Sequence, residues 1–163
     1  MSNLAKAVIA ATLVVCALTV SAQMLPNPYG PPISVDNAKK FATAALAEAR
    51  KNNWKMAVAV VDPNGDLVYY EKMDDTQLAS AQVSIAKARS SARFKRPTKA
   101  FQDAVAGGGI GLRMLAVEGA VPLEGGVPLI VDGKIIGAIG VSGGTSDQDG
   151  VCANAAAGIL KVN

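Results

Sequence analysis

The 163-residue chain carries 16 Lys and Arg against 13 Asp and Glu, a net charge of +3, and no histidine. Without imidazole, a serine hydrolase triad, a histidine-built zinc site and haem ligation through a proximal histidine are all excluded. Aromatic residues make up only 4%, and no basic run is interleaved with stacking side chains, so no nucleic-acid partner is expected.

The first residues, 1–6, hold one lysine; residues 7–18 are an apolar run, and Thr19-Val20-Ser21-Ala22 supplies the small residues a signal peptidase needs. This pattern predicts a signal peptide over residues 1–22 and a periplasmic or secreted mature chain. The run falls short of the ~20 residues of a bilayer span, so no membrane anchor is expected after cleavage. Cys16 leaves with the peptide, and Cys152 alone forms no intramolecular disulfide. Cys152 shares a helical stripe with Val151, Ala155, Ile159 and Leu160 and reads as a small buried apolar residue rather than a reactive thiol.

Residues 23–33 include Pro26, Pro28, Pro31 and Pro32, which remove backbone donors and fix φ. They predict an extended arm or linker, either a lead-in or an arm that packs on a neighbouring subunit. The domain proper is expected over residues 34–163. Ser34 suits an N-cap, and Ala38, Phe41, Ala42, Ala45, Leu46 and Ala49 recur at helical spacing. Residues 54–61 read as a strand covered on both faces. Asp62-Pro63-Asn64-Gly65 is a turn, and residues 67–72 return as a second strand.

Asp74-Asp75-Thr76 is a capping cluster that predicts a helix through about Phe94, with Leu78, Ala81, Ile85, Ala88 and Ala92 facing the sheet. Ser80, Ser84 and Ser91 form a neighbouring stripe, read as a subunit contact or a solvated face. Lys87 falls off the apolar stripe. Its ammonium is aimed at a carboxylate ligand or lies in solvent. Arg89, Arg93, Lys95 and Arg96 crowd the helix end, where they complement the helix dipole or clamp carboxylates.

Residues 99–106 predict a short helix, followed by a glycine-rich loop with no phosphate-loop lysine, so no nucleotide site is expected. Residues 121–124 are expected to form an edge strand. Glu124 precedes Gly125-Gly126 and projects over a cleft or sits on a surface rim. Apolar runs over 127–131 and 135–141 joined by Asp132-Gly133 predict a type I′ hairpin. Gly143, Gly144 and Thr145 then open the last helix. Their N–H groups either hold an anion or are used internally by a box between Ser146 and Asp149.

The run Gly125-Gly126-Val127-Pro128-Leu129, Asp132-Gly133, Gly137-Ala138-Ile139-Gly140-Val141-Ser142-Gly143-Gly144 and Asp149 resembles the GlcG-like family of haem-binding and haem-degrading proteins. Asp62, Gly65, Met73-Asp74, Lys87-Ala88 and Pro97-Thr98 match further points of that pattern in order. Hairpin-joined strands with helices at the ends favour an α+β domain. The resemblance implies a profilin-like three-layer α/β/α arrangement, with an antiparallel sheet of about five strands. It also implies homo-oligomers, octamers among them, and haem or a related tetrapyrrole as ligand.

The ligand-binding residues expected on this reading are Lys87, Arg93, Glu124, Gly125, Gly126, Gly143, Gly144, Thr145 and Asp149. Tyr69, Met73 and Met114 are the candidate iron donors in a chain without histidine. Two other readings stay open: action on a small organic acid such as a 2-hydroxy acid, and a sensor or accessory subunit with a protein partner.

Overall fold

The computed structural model describes residues 26–159. The expected signal peptide and Leu160 lie outside the described residues. The elements run α1 (Val35–Lys51), β1 (Ala57–Val61), β2 (Leu67–Lys72), α2 (Ser80–Phe94), α3 (Lys99–Ala106), a 3₁₀ segment (Gly109–Ala116), β3 (Gly126–Val131), β4 (Lys134–Ser142) and α4 (Ser146–Gly158).

The strands form one antiparallel sheet in the order β2-β1-β4-β3. Alternation along the strands divides the core. Val58, Val60, Ile139, Val141 and Leu129 pack with α1 and α4 on one face, while Ala59, Val61 and Ala138 meet Ala88 and Ala92 of α2 on the other. This is the expected α/β/α layering, with four strands among the described residues rather than five. The expected edge strand over residues 121–124 is a loop. Its donors go to side chains instead of a ladder: Val121 N–H to Ser90 Oγ and Glu124 N–H to Gln102 Oε1.

Local signals explain most boundaries. Ser34 Oγ accepts from Asn37 N–H, and the six apolar residues of α1 are all buried. Asp62 Oδ1 accepts from Asp66 N–H across the β1–β2 turn, so this carboxylate organises backbone rather than chemistry. Asp132 and Gly133 both have positive φ, 48° and 70°, as a two-residue I′ turn requires.

The face of α2 is a correction. Ser80, Ser84, Lys87, Ala88, Ser91 and Ala92 are buried, whereas Leu78 is 87% exposed and precedes the helix. The serine stripe therefore lies against the sheet. Its small side chains fit because the opposing sheet face is built from alanine and glycine. A Cβ on Gly140 would collide with the Ser84 carbonyl and stand 2.5 Å from Ala88 N; one on Gly126, its cross-strand partner, would strike the Lys87 carbonyl. The capping cluster before α2 also acts differently: Thr76 Oγ1 donates to the carbonyls of Met73 and Met56 and closes a turn.

The proline-rich segment packs on its own subunit. Ile135 N–H donates to the Pro28 carbonyl and Gly30 N–H to the Ile135 carbonyl, so the arm pairs with β4 where β1 has ended. Tyr29 Oη donates to the Ala92 and Arg93 carbonyls, and Lys95 Nζ lies 4.1 Å from its ring centroid. On α4 the buried residues are Asp149, Gly150, Cys152, Ala153 and Ala156. Val151 and Ile159 are exposed, so the stripe drawn through them is rotated.

Candidate functional site

The expected site residues around Lys87 do come together, but as an internal post. Lys87 is 1% exposed; its Nζ donates to Asp149 Oδ2 at 2.6 Å and to the Val141 carbonyl at 3.2 Å. Asp149 Oδ1 accepts from Gly144 N–H at 3.0 Å. Burial holds the Asp149 carboxyl above its ordinary range, while Lys87 and the N–H groups of Gly144 and Gly143 pull it back. Gly125, with φ of 124°, closes the pair from above: a Cβ there would stand 2.9 Å from Asp149 Cβ and 3.0 Å from Lys87 Nζ.

Internal capping takes the other donors of this loop. Thr145, not Ser146, is the N-cap of α4; its Oγ1 accepts from Gln148 N–H, and Gln148 Oε1 accepts from Thr145 N–H. With Asp149 already turned to Gly144 and Lys87, the box is closed by Gln148. Gly143 is wedged against Lys55 and Met56, and Gly126 against α2 and Thr98, so neither lines an open cradle.

Glu124 lies beside this post. A Cβ on Gly150 would meet its Oε1, and its Oε2 is 3.9 Å from Lys99 Nζ. Lys99 is itself paired with Asp103 at 2.7 Å, a bond that raises its pKa. Burial is the largest cause lifting the Glu124 carboxyl above its usual range; Asp147 and Asp103 add to the lift, and Lys99 and Lys87 oppose it. A carboxyl raised on folding contributes stability below its unfolded value and loses it as pH rises through the folded one. Glu124→Gln is therefore expected to raise the urea midpoint at about pH 7 and to give no gain at about pH 4. Equal shifts at both pH values would contradict that assignment.

The remaining expected residues are elsewhere. Arg93 Nε donates to the Asn64 carbonyl at 2.8 Å, at the β1–β2 turn. Tyr69 Oη donates to Glu71 Oε2 at 2.9 Å, a bond that raises its pKa, and Met73 packs beside it against the α1 side of the core. Both belong to β2 or its end, on the sheet edge opposite β3. Met114 is in the 3₁₀ segment, so the three candidate iron donors form no common site. Burial pushes the Cys152 thiol up to about 12, which withholds the thiolate.

One open cleft lies outside the residues that the sequence singles out. It has a volume of about 450 Å³ and runs past the edge strand β3, lined by Val127, Pro128 and Ile130, by Asn154 and Ala157 of α4, and by Lys95 and Pro97 after α2. Pro128 offers no N–H there, so the edge resists pairing with another strand. Apolar side chains on a prolyl edge strand were the available signal. A tetrapyrrole fits this lining in kind: the apolar floor suits a macrocycle, and the Lys95 ammonium, held over Tyr29, suits a carboxylate at the rim. Among the described residues, no histidine, cysteine or methionine lines it to ligate iron.

A family model described as haem degrading protein HbpS-like matches residues 33–158. GlcG of Escherichia coli K12 is 41% identical over 110 residues, which make up 68% of this chain and 81% of GlcG. Among solved structures, the haem complex of PduOC aligns with a TM-score of 0.71 at 28% identity, covering 81% of this chain and 97% of that one. A double mutant of Streptomyces reticuli HbpS aligns with a TM-score of 0.73 at 27% identity, covering 96% of this chain and 98% of that one.

Proposed function

The chain belongs to the HbpS-like family, and from that premise we propose that it binds haem or a related tetrapyrrole in the cleft beside β3. The observation that carries the reading is the haem complex of PduOC, which shares this fold over 97% of its length. The cleft supports it from this chain's own side. Its volume lies within the roughly 300–1,000 Å³ usual for small-molecule sites, and Val127, Pro128, Ile130 and Ala157 give it an apolar floor.

Bound haem would supply an iron centre. The residues present would hold the macrocycle by excluding water from its face, and Lys95 would pair with a propionate. No axial ligand comes from imidazole, since the chain has none. Binding therefore rests on burial and charge rather than on strong ligation, and the ligand is expected to exchange.

We also propose that the chain is exported and acts as a homo-oligomer, with octamers among the forms. The apolar run and small residues that close at Ala22 support export. Ile110, Leu115 and Leu112 of the 3₁₀ segment are 78%, 64% and 49% exposed, which supports burial against another subunit. Haemin titration of the protein beginning at Gln23, followed in the Soret region with light scattering for mass, tests the haem and oligomer readings. A saturable shifted band at about one haem per subunit or per pair is expected. A band no different from that given by an unrelated protein would sink the reading.

A further inference from the structure

A second cleft, about 270 Å³ in volume, lies on the other side of the molecule's α2 helix from the Lys87–Asp149 pair's contacts, between α2 and the loop after the 3₁₀ segment. Its walls are Ile85, Ala86 and Val121, with Gln82 and two arginines, Arg89 and Arg93, supplying the polar groups.

The two arginines are one helical turn apart, a spacing at which like charges repel. Each is nevertheless held in place by its Nε. Arg89 Nε donates to the Gly65 carbonyl at 3.0 Å, and Arg93 Nε donates to the neighbouring Asn64 carbonyl at 2.8 Å. Gly65 makes this double tether possible. Its φ is 93°, and a Cβ there would stand 2.8 Å from Arg93 Nε and 3.4 Å from Arg89 Cγ. The tethers use only one donor of each guanidinium. None of the ion pairs among the described residues involves Arg89 or Arg93, and their terminal N–H groups have no acceptor among those residues.

Two preoriented guanidinium forks beside an apolar wall are a recognition device for one chemistry, a planar anion carried on a hydrocarbon body. We infer that this cleft is a binding site for a small organic carboxylate with an apolar chain. The carboxylate accepts from the terminal N–H groups of Arg89 and Arg93 and offsets their mutual repulsion. The chain lies on Ile85, Ala86 and Val121. The site is independent of the cleft beside β3 and uses none of its residues.

The test is calorimetric titration of the full protein with hexanoate, with hexanamide as the neutral isostere and inorganic phosphate as the anion without an apolar body. Arginine Nε–Hε resonances are followed in parallel. Hexanoate is expected to saturate at about one per chain, to shift the Arg89 and Arg93 resonances, and to bind more than about tenfold more tightly than either control. Since Arg89 and Arg93 also tether the β1–β2 turn, the deciding variant is Ala86→Glu, which sets a carboxylate in the cleft without touching the tethers. It is expected to abolish hexanoate binding while leaving the haemin titration unchanged. Absence of saturation, equal binding of hexanamide or phosphate, or hexanoate binding that survives Ala86→Glu would overturn the inference.

Discussion

Lys87→Met is expected to destabilise the protein by about 3–5 kcal/mol at neutral pH, the usual cost of removing one partner from a buried ion pair. The cost arises less from the attraction lost than from what stays behind. Asp149 remains 3% exposed beneath Gly125, with only the backbone N–H groups of Gly144 and Gly143 left to stabilise its charge. The sign with pH follows from burial. Without the ammonium the Asp149 carboxyl rises further, and a carboxyl raised on folding gives stability that is complete below its unfolded value and lost as pH rises through the folded one. The gap between Lys87→Met and the parent should therefore narrow toward about pH 4. Adding Asp149→Asn, which removes the orphaned charge but keeps an acceptor for Gly144 N–H, should recover much of the loss. Urea midpoints across pH check all three statements. A loss below about 1 kcal/mol at neutral pH would mean that the pair does not hold the fold together.

Gly140→Val is expected to be as damaging for a steric reason. Gly140 and Gly126 face each other across β3 and β4, and α2 rests on both. The first atom of any side chain at 140 meets the Ser84 carbonyl and Ala88 N, which are helix backbone and cannot swing aside. Even Gly140→Ala should cost about 1–3 kcal/mol by overpacking, with the valine variant costing more. Gly158 provides the contrast: at the end of α4 a Cβ there has nothing within 4 Å among the described residues. Gly158→Ala should be neutral or stabilise by up to about 1 kcal/mol. Thermal midpoints of the three variants test the close packing of α2, and a tolerated Gly140→Val would contradict it.

The same packing explains what the sequence could and could not disclose. The hairpin at Asp132-Gly133, the Ser34 cap and the apolar stripe of α1 each follow from a local rule that tertiary structure left intact. Those rules act within a few residues. The face of α2 does not follow from hydrophobic periodicity, because a sheet surface of glycine and alanine accepts serine and a paired lysine where leucine would not fit. Lys87 and Asp149 each stand out in the sequence, but their pairing across 62 positions does not. Likewise Thr145-Gln148 and Ser146-Asp149 are equally good boxes on paper. The choice is made by Lys87, which draws Asp149 inward and leaves Gln148 to close the cap. The expected strand at 121–124 failed because Ser90 and Gln102 side chains, distant in sequence, took its backbone donors.

Most of the expected ligand loop is consumed by that internal bonding, which moves the proposed tetrapyrrole site to the edge of the sheet. The central claim is therefore positional, and filling the β3 cleft tests it most directly. Ala157→Trp places an indole on the cleft floor, and Ile130→Glu sets a charge in the same apolar lining at a residue already 38% exposed. With circular dichroism confirming that both variants fold, haemin titration in the Soret region should show affinity reduced by more than about tenfold in each. Unchanged saturation in both folded variants would contradict the account and place the tetrapyrrole elsewhere on this chain.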